Sequence, residues 1–365
     1  MTRRLSELTT LRLGGPAERF VEGRSEDEVV GAVRAADAAG EPLLVLGGGS
    51  NVVVADEGFP GTVVLIATRG VERGEADGCT ELTVQAGESW DPFVERCVAE
   101  GLAGVEALSG IPGSIGATPI QNVGAYGQEV AETITAVRVF DRRHGVVEEL
   151  PPEACGFGYR TSVFKRVPDR WVVLAVTFAL ERSGLGGPVT YPELARALGV
   201  ATGESAPLEE IRDAVLRLRR AKGMVIDPDD PDSVSAGSFF TNPVLSEDQF
   251  GALERRADEK LGAEARPPRF PQPDGRVKTS AAWLIERSGF ARSHGDPLTV
   301  SISSKHTLAL TNRGAGTSSQ LLALAREVAE GVEREWGVAL RPEPVLIGQA
   351  WVEAVSEMAV RPRRP

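Results

Sequence analysis

LSGIPGSIGATPIQNVGAYGQE, residues 108–129, is the stretch on which the fold turns. Glycines at 110, 113, 116, 124 and 127 stand among small hydroxyl and amide residues, with almost no charge. The run has neither helical nor strand periodicity, yet it is too apolar for a linker. Glycine lets the backbone turn tightly and approach another group closely, and N–H groups exposed that way form anion-binding nests. A second loop of the same character, LGGGSN, occupies residues 46–51. Two such loops predict one large ligand, with phosphates and a flat ring, held by main chain. The GGG run does not complete G-x-G-x-x-G, and a strand rather than a helix is predicted after it, so a Rossmann fingerprint is not expected.

The 365 residues suffice for two or three domains, and the net charge of −12 argues against a general nucleic-acid or membrane-surface binder. A few placed cations can still dominate a pocket for an anionic small molecule. Cys79, Cys97 and Cys155 lack CxxC spacing and read as reduced, buried thiols. His144, His294 and His306 lack HxH or HxxxH partners, so no metal site is expected, and His144 in its DRRHG turn reads as solvated. No signal peptide and no membrane-spanning run is evident, which makes a cytoplasmic location the expectation.

Periodicity and caps predict a short-element α+β chain. Expected helices are 25–40 (Ser25 as cap, Gly40 as stop), 91–100 (Asp91 as cap), 191–198, 208–222, 246–261 and 318–336. Strands are expected near 18–21, 42–46, 52–55, 63–67, 82–86 and 171–180, with a hairpin at 136–150 and a mixed-charge strand at 158–166. The Pro/Asp-rich run 223–236 reads as a domain hinge.

GGGSN, IPGSIGATPIQNVGAYGQE, YRTSVFK, GSFFTNP, KTSAAWLIE and LRPEPVLIG together resemble, in order and spacing, the UDP-N-acetylenolpyruvoylglucosamine reductases (MurB), over roughly residues 9–348. The likeness extends to the longer, enterobacterial-like type. It implies an α+β flavoprotein of the vanillyl-alcohol-oxidase (PCMH-type) group. The implied units are FAD-binding subdomains at 1–66 and 67–222, a substrate domain at 223–348 and a tail at 349–365, read as a solvated extension.

The resemblance also implies residue roles. FAD would be held by Gly47, Gly48, Gly49, Ser50, Asn51, Ser109, Ile111, Pro112, Gly113, Ser114, Gly116, Ala117, Gln121, Asn122 and Gly124. Arg160 matches the active-site arginine, Ser238 the proton donor and Glu343 the third catalytic residue. Glu343, rigidly placed between Pro342 and Pro344, is expected to have its pKa raised by burial. Tyr191 (on a lid loop), Lys222, Asn242 and Lys278 match residues that grip the UDP-sugar. Lys222 departs from the usual pattern, because GMVID rather than Leu-Pro follows it. Phe239 and Phe240 are expected in the core. The implied reaction is NADPH-dependent reduction of the enolpyruvyl sugar nucleotide to UDP-N-acetylmuramate, for peptidoglycan, with both substrates sharing one cleft and a monomer expected. A flavin oxidase or dehydrogenase of the same superfamily, or a non-catalytic FAD or nucleotide-sugar sensor, are the alternatives.

Overall fold

The computed structural model describes residues 3–76, 78–262 and 264–351. In the first part, β1 (Ala17–Gly23) is followed by α1 (Glu26–Ala39), β2 (Leu43–Leu46), β3 (Val52–Val54) and β4 (Phe59–Ile66). β1 and β2 both pair in parallel with β4. The Ser25 hydroxyl accepts from the Glu28 N–H and Gly40 closes α1 at φ 65°, so α1 starts and stops where its caps predict. Its Val29, Val30 and Val33 are buried.

β5 (Val71–Ala76), β6 (Cys79–Gln85), α2 (Trp90–Ala99), β7 (Ile134–Asp141), β8 (Val146–Leu150) and β9 (Trp171–Arg182) come next. They form an antiparallel sheet in the order β8-β7-β9-β6-β5. β9 is central and reads as a nearly continuous buried apolar run. Between β9 and the C-terminal part lie α3 (Pro192–Leu198) and α4 (Leu208–Ala221), which pack together through Leu194, Ile211 and Val215.

β10 (Ser235–Ser238), α5 (Glu247–Leu261), β11 (Val300–Ile302), β12 (Ala309–Asn312), α6 (Ser318–Trp336) and β13 (Val345–Ile347) complete the chain. Phe239 and Phe240 lie in this core at 1 % exposure, as expected. Leu11, Leu13 and Val53 from the N-terminal part belong to the same cluster, and β13 pairs in parallel with β3. That pairing brings residues 345–347 beside the GGGSN loop.

Four expectations need correction. α2 starts at Trp90 with Ser89 at its N-cap, not at Asp91, whose carboxylate serves Gly110 and Arg212 instead. Residues 158–166 are not a strand: Arg160 has φ 50°, and Val163–Arg166 is a helical turn capped by Ser162. The His144 ring is not merely solvated, since Nδ1 lies 2.9 Å from the buried Asp141 carboxylate. The tail begins packed rather than solvated, with the Trp351 ring 6.2 Å from Phe240, while residues 352–365, including the basic RPRR, lie outside the described residues.

Candidate functional site

The two glycine loops touch. The Gly48 N–H donates to Ser114 Oγ at 3.2 Å. A Cβ on Gly48 would lie 2.7 Å from the Gly113 Cα, and one on Gly113 (φ 128°) would lie 2.7 Å from the Ser50 hydroxyl. A side chain at Gly48 would therefore push the loops apart, whereas one at Gly113 would meet a hydroxyl that can turn away but would be strained at that φ. Among the described residues, the N–H groups of Gly49, Ser50, Asn51, Gly113 and Ser114 have no protein acceptor. A pair of apposed loops with amides to spare suits the pyrophosphate of a dinucleotide, so the donor set fits FAD. Ile111, Pro112, Gly113 and Ala117 are partly exposed along the second loop.

Three of the expected cofactor residues are otherwise occupied. Ser109 is fully buried and its hydroxyl donates to the Glu106 carbonyl. The Asn122 amide donates to Glu129 and to the Gly158 carbonyl and accepts from the Ala131 N–H. Gly116 is a packing glycine, where a Cβ would stand 2.6 Å from the Ala86 Cβ. The Gln121 amide is likewise taken up by protein partners. It accepts from Asn51 Nδ2 at 3.1 Å and donates to Glu343 Oε1 at 3.1 Å. One amide thus ties the first loop, the second loop and the candidate catalytic carboxyl together.

Arg160 meets the same carboxyl oxygen, with Nε 3.3 Å from Glu343 Oε1. Its guanidinium also donates to the carbonyls of Gly124 and Asn122, at 2.5 and 3.3 Å. Arg160, Asn122 and Tyr126 all carry left-handed backbone. Such residues cost about 1–3 kcal/mol each and persist where the surroundings over-determine them. Lys165 Nζ donates to Gln121 Oε1 at 3.3 Å and to the Arg160 carbonyl at 3.2 Å. Burial pushes the Glu343 carboxyl above its usual range, against the pull of Arg160 and Lys165. Burial also lowers the Lys165 ammonium, which Glu343 counteracts.

Ser238 ends β10, and the next residue, Phe239, accepts the Glu343 N–H at 2.8 Å. Ser238 and Glu343 therefore sit on adjacent segments despite their separation in sequence. Two cation–aromatic groups stand nearby. Lys222 pairs with Glu193 at 2.7 Å and lies 5.9 Å from the Tyr126 ring, which in turn meets Tyr191 edge-on at 5.5 Å. Lys278 lies 4.3 Å over the Tyr159 ring, and burial lowers its pKa. Asn242 lies beside Tyr159 and accepts from the Ala281 N–H. Lys165, Tyr159 and Tyr126 are absent from the expected site. The first two flank Arg160 in YRTSVFK, which was the available signal.

Comparisons with known proteins identify the family. Residues 17–150 match the FAD binding domain family, and residues 229–347 match the C-terminal domain of UDP-N-acetylenolpyruvoylglucosamine reductase. The reductase of that name from Thermobifida fusca is 58 % identical over 345 residues, covering 94 % of this chain and 96 % of the relative. The one from Streptomyces coelicolor is 56 % identical, covering 95 % and 89 %. The crystal structure of the Thermus caldophilus enzyme (MurB) aligns with TM-score 0.62 and 27 % identity, covering 95 % of this chain and 98 % of that one. The relatives at high identity are actinobacterial, so the enterobacterial-like subtype is withdrawn. With both halves matched and relatives above half identity along almost the whole length, the chain belongs to the UDP-N-acetylenolpyruvoylglucosamine reductase family.

Proposed function

We infer that this protein reduces UDP-N-acetylenolpyruvoylglucosamine to UDP-N-acetylmuramate with NADPH as reductant, a step in peptidoglycan precursor synthesis. The observation that carries it is the Asn51–Gln121–Glu343–Arg160 chain, which joins both glycine loops to a buried carboxyl and a guanidinium. FAD, when bound, supplies the hydride-transfer chemistry. The loop amides and Ser50 hold its pyrophosphate, and the small residues Gly113 and Ala117 leave its ring accessible.

The protein supplies alignment and protons. Arg160 binds the enolpyruvyl carboxylate through its guanidinium. Glu343, favoured as the neutral acid by burial, donates a hydrogen bond to that carboxylate, and together they stabilise charge that grows at the enolate-like carbon. The Ser238 hydroxyl gives its proton to C2, a transfer that a very strong carbon base makes feasible. Lys222 exchanges its Glu193 partner for the substrate diphosphate, and Tyr191, 43 % exposed, covers that end. Asn242 and Lys278 hold the nucleotide.

The proposal includes one cleft used in turn by NADPH and the sugar nucleotide, a monomer, and action in the cytoplasm, where both nucleotides are available. It divides the chain at 1–66, 67–222 and 223–348, with β3 and β13 linking the first and third units. The test is the visible spectrum of the FAD-loaded protein. NADPH should bleach the flavin band and the enolpyruvyl sugar nucleotide should restore it. Bleaching by an alcohol instead, or no recovery with the enolpyruvyl compound, would favour the oxidase reading.

A further inference from the structure

The entrance to the 108–129 loop is held by a charged clamp that the catalytic reading does not use. Gly110, at φ 72°, gives its N–H to Asp91 Oδ1 at 2.6 Å. The same oxygen accepts from Arg212 Nη1 at 2.7 Å, and Asp91 Oδ2 accepts from Arg212 Nη2 at 3.2 Å. Arg212 is 9 % exposed, and its second acidic neighbour, Glu95, is farther away at 3.6 Å. Planar guanidinium and carboxylate thus meet through two parallel bonds, the geometry with the strongest directional preference. α4 also packs directly on the loop, since a Cβ at Gly110 would stand 2.8 Å from Leu216 Cδ2.

The preceding residues are fixed by other means. Trp90 Nε1 donates to the Leu108 carbonyl at 3.0 Å, and Ser109 is tied to Glu106. Asp91 is the acceptor that determines where the backbone goes at Gly110, just before the segment whose amides are spare. α4 ends at Lys222, so the helix that packs on the cofactor loop also leads into the diphosphate lysine.

We propose that Asp91 and Arg212 are positioning residues for the flavin, fixing the second glycine loop in its binding shape through the Gly110 N–H. This rests on the FAD reading above. A carboxylate restrained by a buried guanidinium cannot rotate away, so the loop is preorganised and binding need not order it.

The experiment is titration of the flavin-free protein with FAD, followed by flavin fluorescence, alongside thermal melting of both forms. Asp91→Ala is expected to raise the FAD Kd about tenfold or more, because it strands the Gly110 N–H. Asp91→Asn keeps an acceptor for Gly110 but loses the charge, and Arg212→Met removes the restraint alone; each should raise Kd about threefold. Asp91→Ala combined with Arg212→Met should be no worse than Asp91→Ala, since Arg212 acts through Asp91. Unchanged FAD Kd in the Asn and Met variants, with only the melting midpoint lowered, overturns the proposal and makes the clamp purely structural; these two milder variants decide the matter if Asp91→Ala does not fold. Wild-type protein that binds no FAD would instead overturn the flavin reading itself.

Discussion

At the scale of single residues, Glu343 holds the main electrostatic conflict of the site. Burial favours its neutral acid, whereas Arg160 and Lys165 favour the carboxylate, and burial prevails. A folded-state pKa above the unfolded one means that the stabilisation present at low pH is lost as pH rises through the folded value. The same sign governs activity if the neutral acid is the working form. Turnover should fall as pH rises through the elevated pKa of Glu343. In Glu343→Gln that limb should disappear, with kcat about 10²-fold lower and FAD loading intact. Profiles of kcat against pH for the two proteins check this, and superimposable profiles would refute it.

Residue identities at the site were readable only as parts of motifs. A lone serine in GSFFTNP or a lone glutamate between prolines says nothing of chemistry by itself. Their closeness depends on the Phe239–Glu343 backbone bond, which links segments far apart in sequence. The Asn122 side-chain amide is taken up by Glu129, Gly158 and Ala131, and of these Gly158 lies beyond any local window.

At the scale of elements, the glycines divide into those that a side chain would wreck and those that it would suit. Gly48 faces the Gly113 backbone, which cannot yield as a flexible side-chain tip could. Gly31, inside α1, has nothing within 4 Å of its would-be Cβ. Gly48→Ala should therefore raise the FAD Kd at least about tenfold by prising the loops apart. Gly31→Ala should leave FAD binding unchanged and stabilise the fold by about 0.5–1 kcal/mol, because alanine suits a helix interior better. FAD titration and denaturant unfolding of both variants measure this; equal FAD affinity in the two would mean that the loops do not need their close contact. Caps made α1 legible to the residue, since Ser25 and Gly40 act locally. α2 was misplaced by one residue because Asp91 has the chemistry of a cap but is engaged by Gly110 and Arg212, contacts that local reading cannot see. The strand expected at 158–166 failed for a related reason. Arg160 is held in left-handed backbone by partners in the 108–129 loop, overriding the propensity of its neighbours.

At the scale of the whole molecule, three distant parts of the chain build one site. β3 leads out of the first glycine loop and pairs with β13, so Glu343 arrives beside Asn51; the second loop meets the first at Ser114; and Ser238 arrives on the segment next to Glu343. The class of the fold was evident from alternating short elements and from the two loops. The pairing of β3 with β13 was not, because a parallel contact between the start and end of a chain leaves no local trace in sequence. The central claim is that this assembly hands a proton from Ser238 to the substrate while the cofactor half of the site works independently. Ser238→Ala tests it most directly, with the two half-reactions followed separately by rapid mixing. Flavin reduction by NADPH should stay within about twofold of wild type, while reoxidation by the enolpyruvyl sugar nucleotide should slow at least about 10²-fold. Reoxidation at the wild-type rate would contradict the role of Ser238 and with it the convergence on which the function depends.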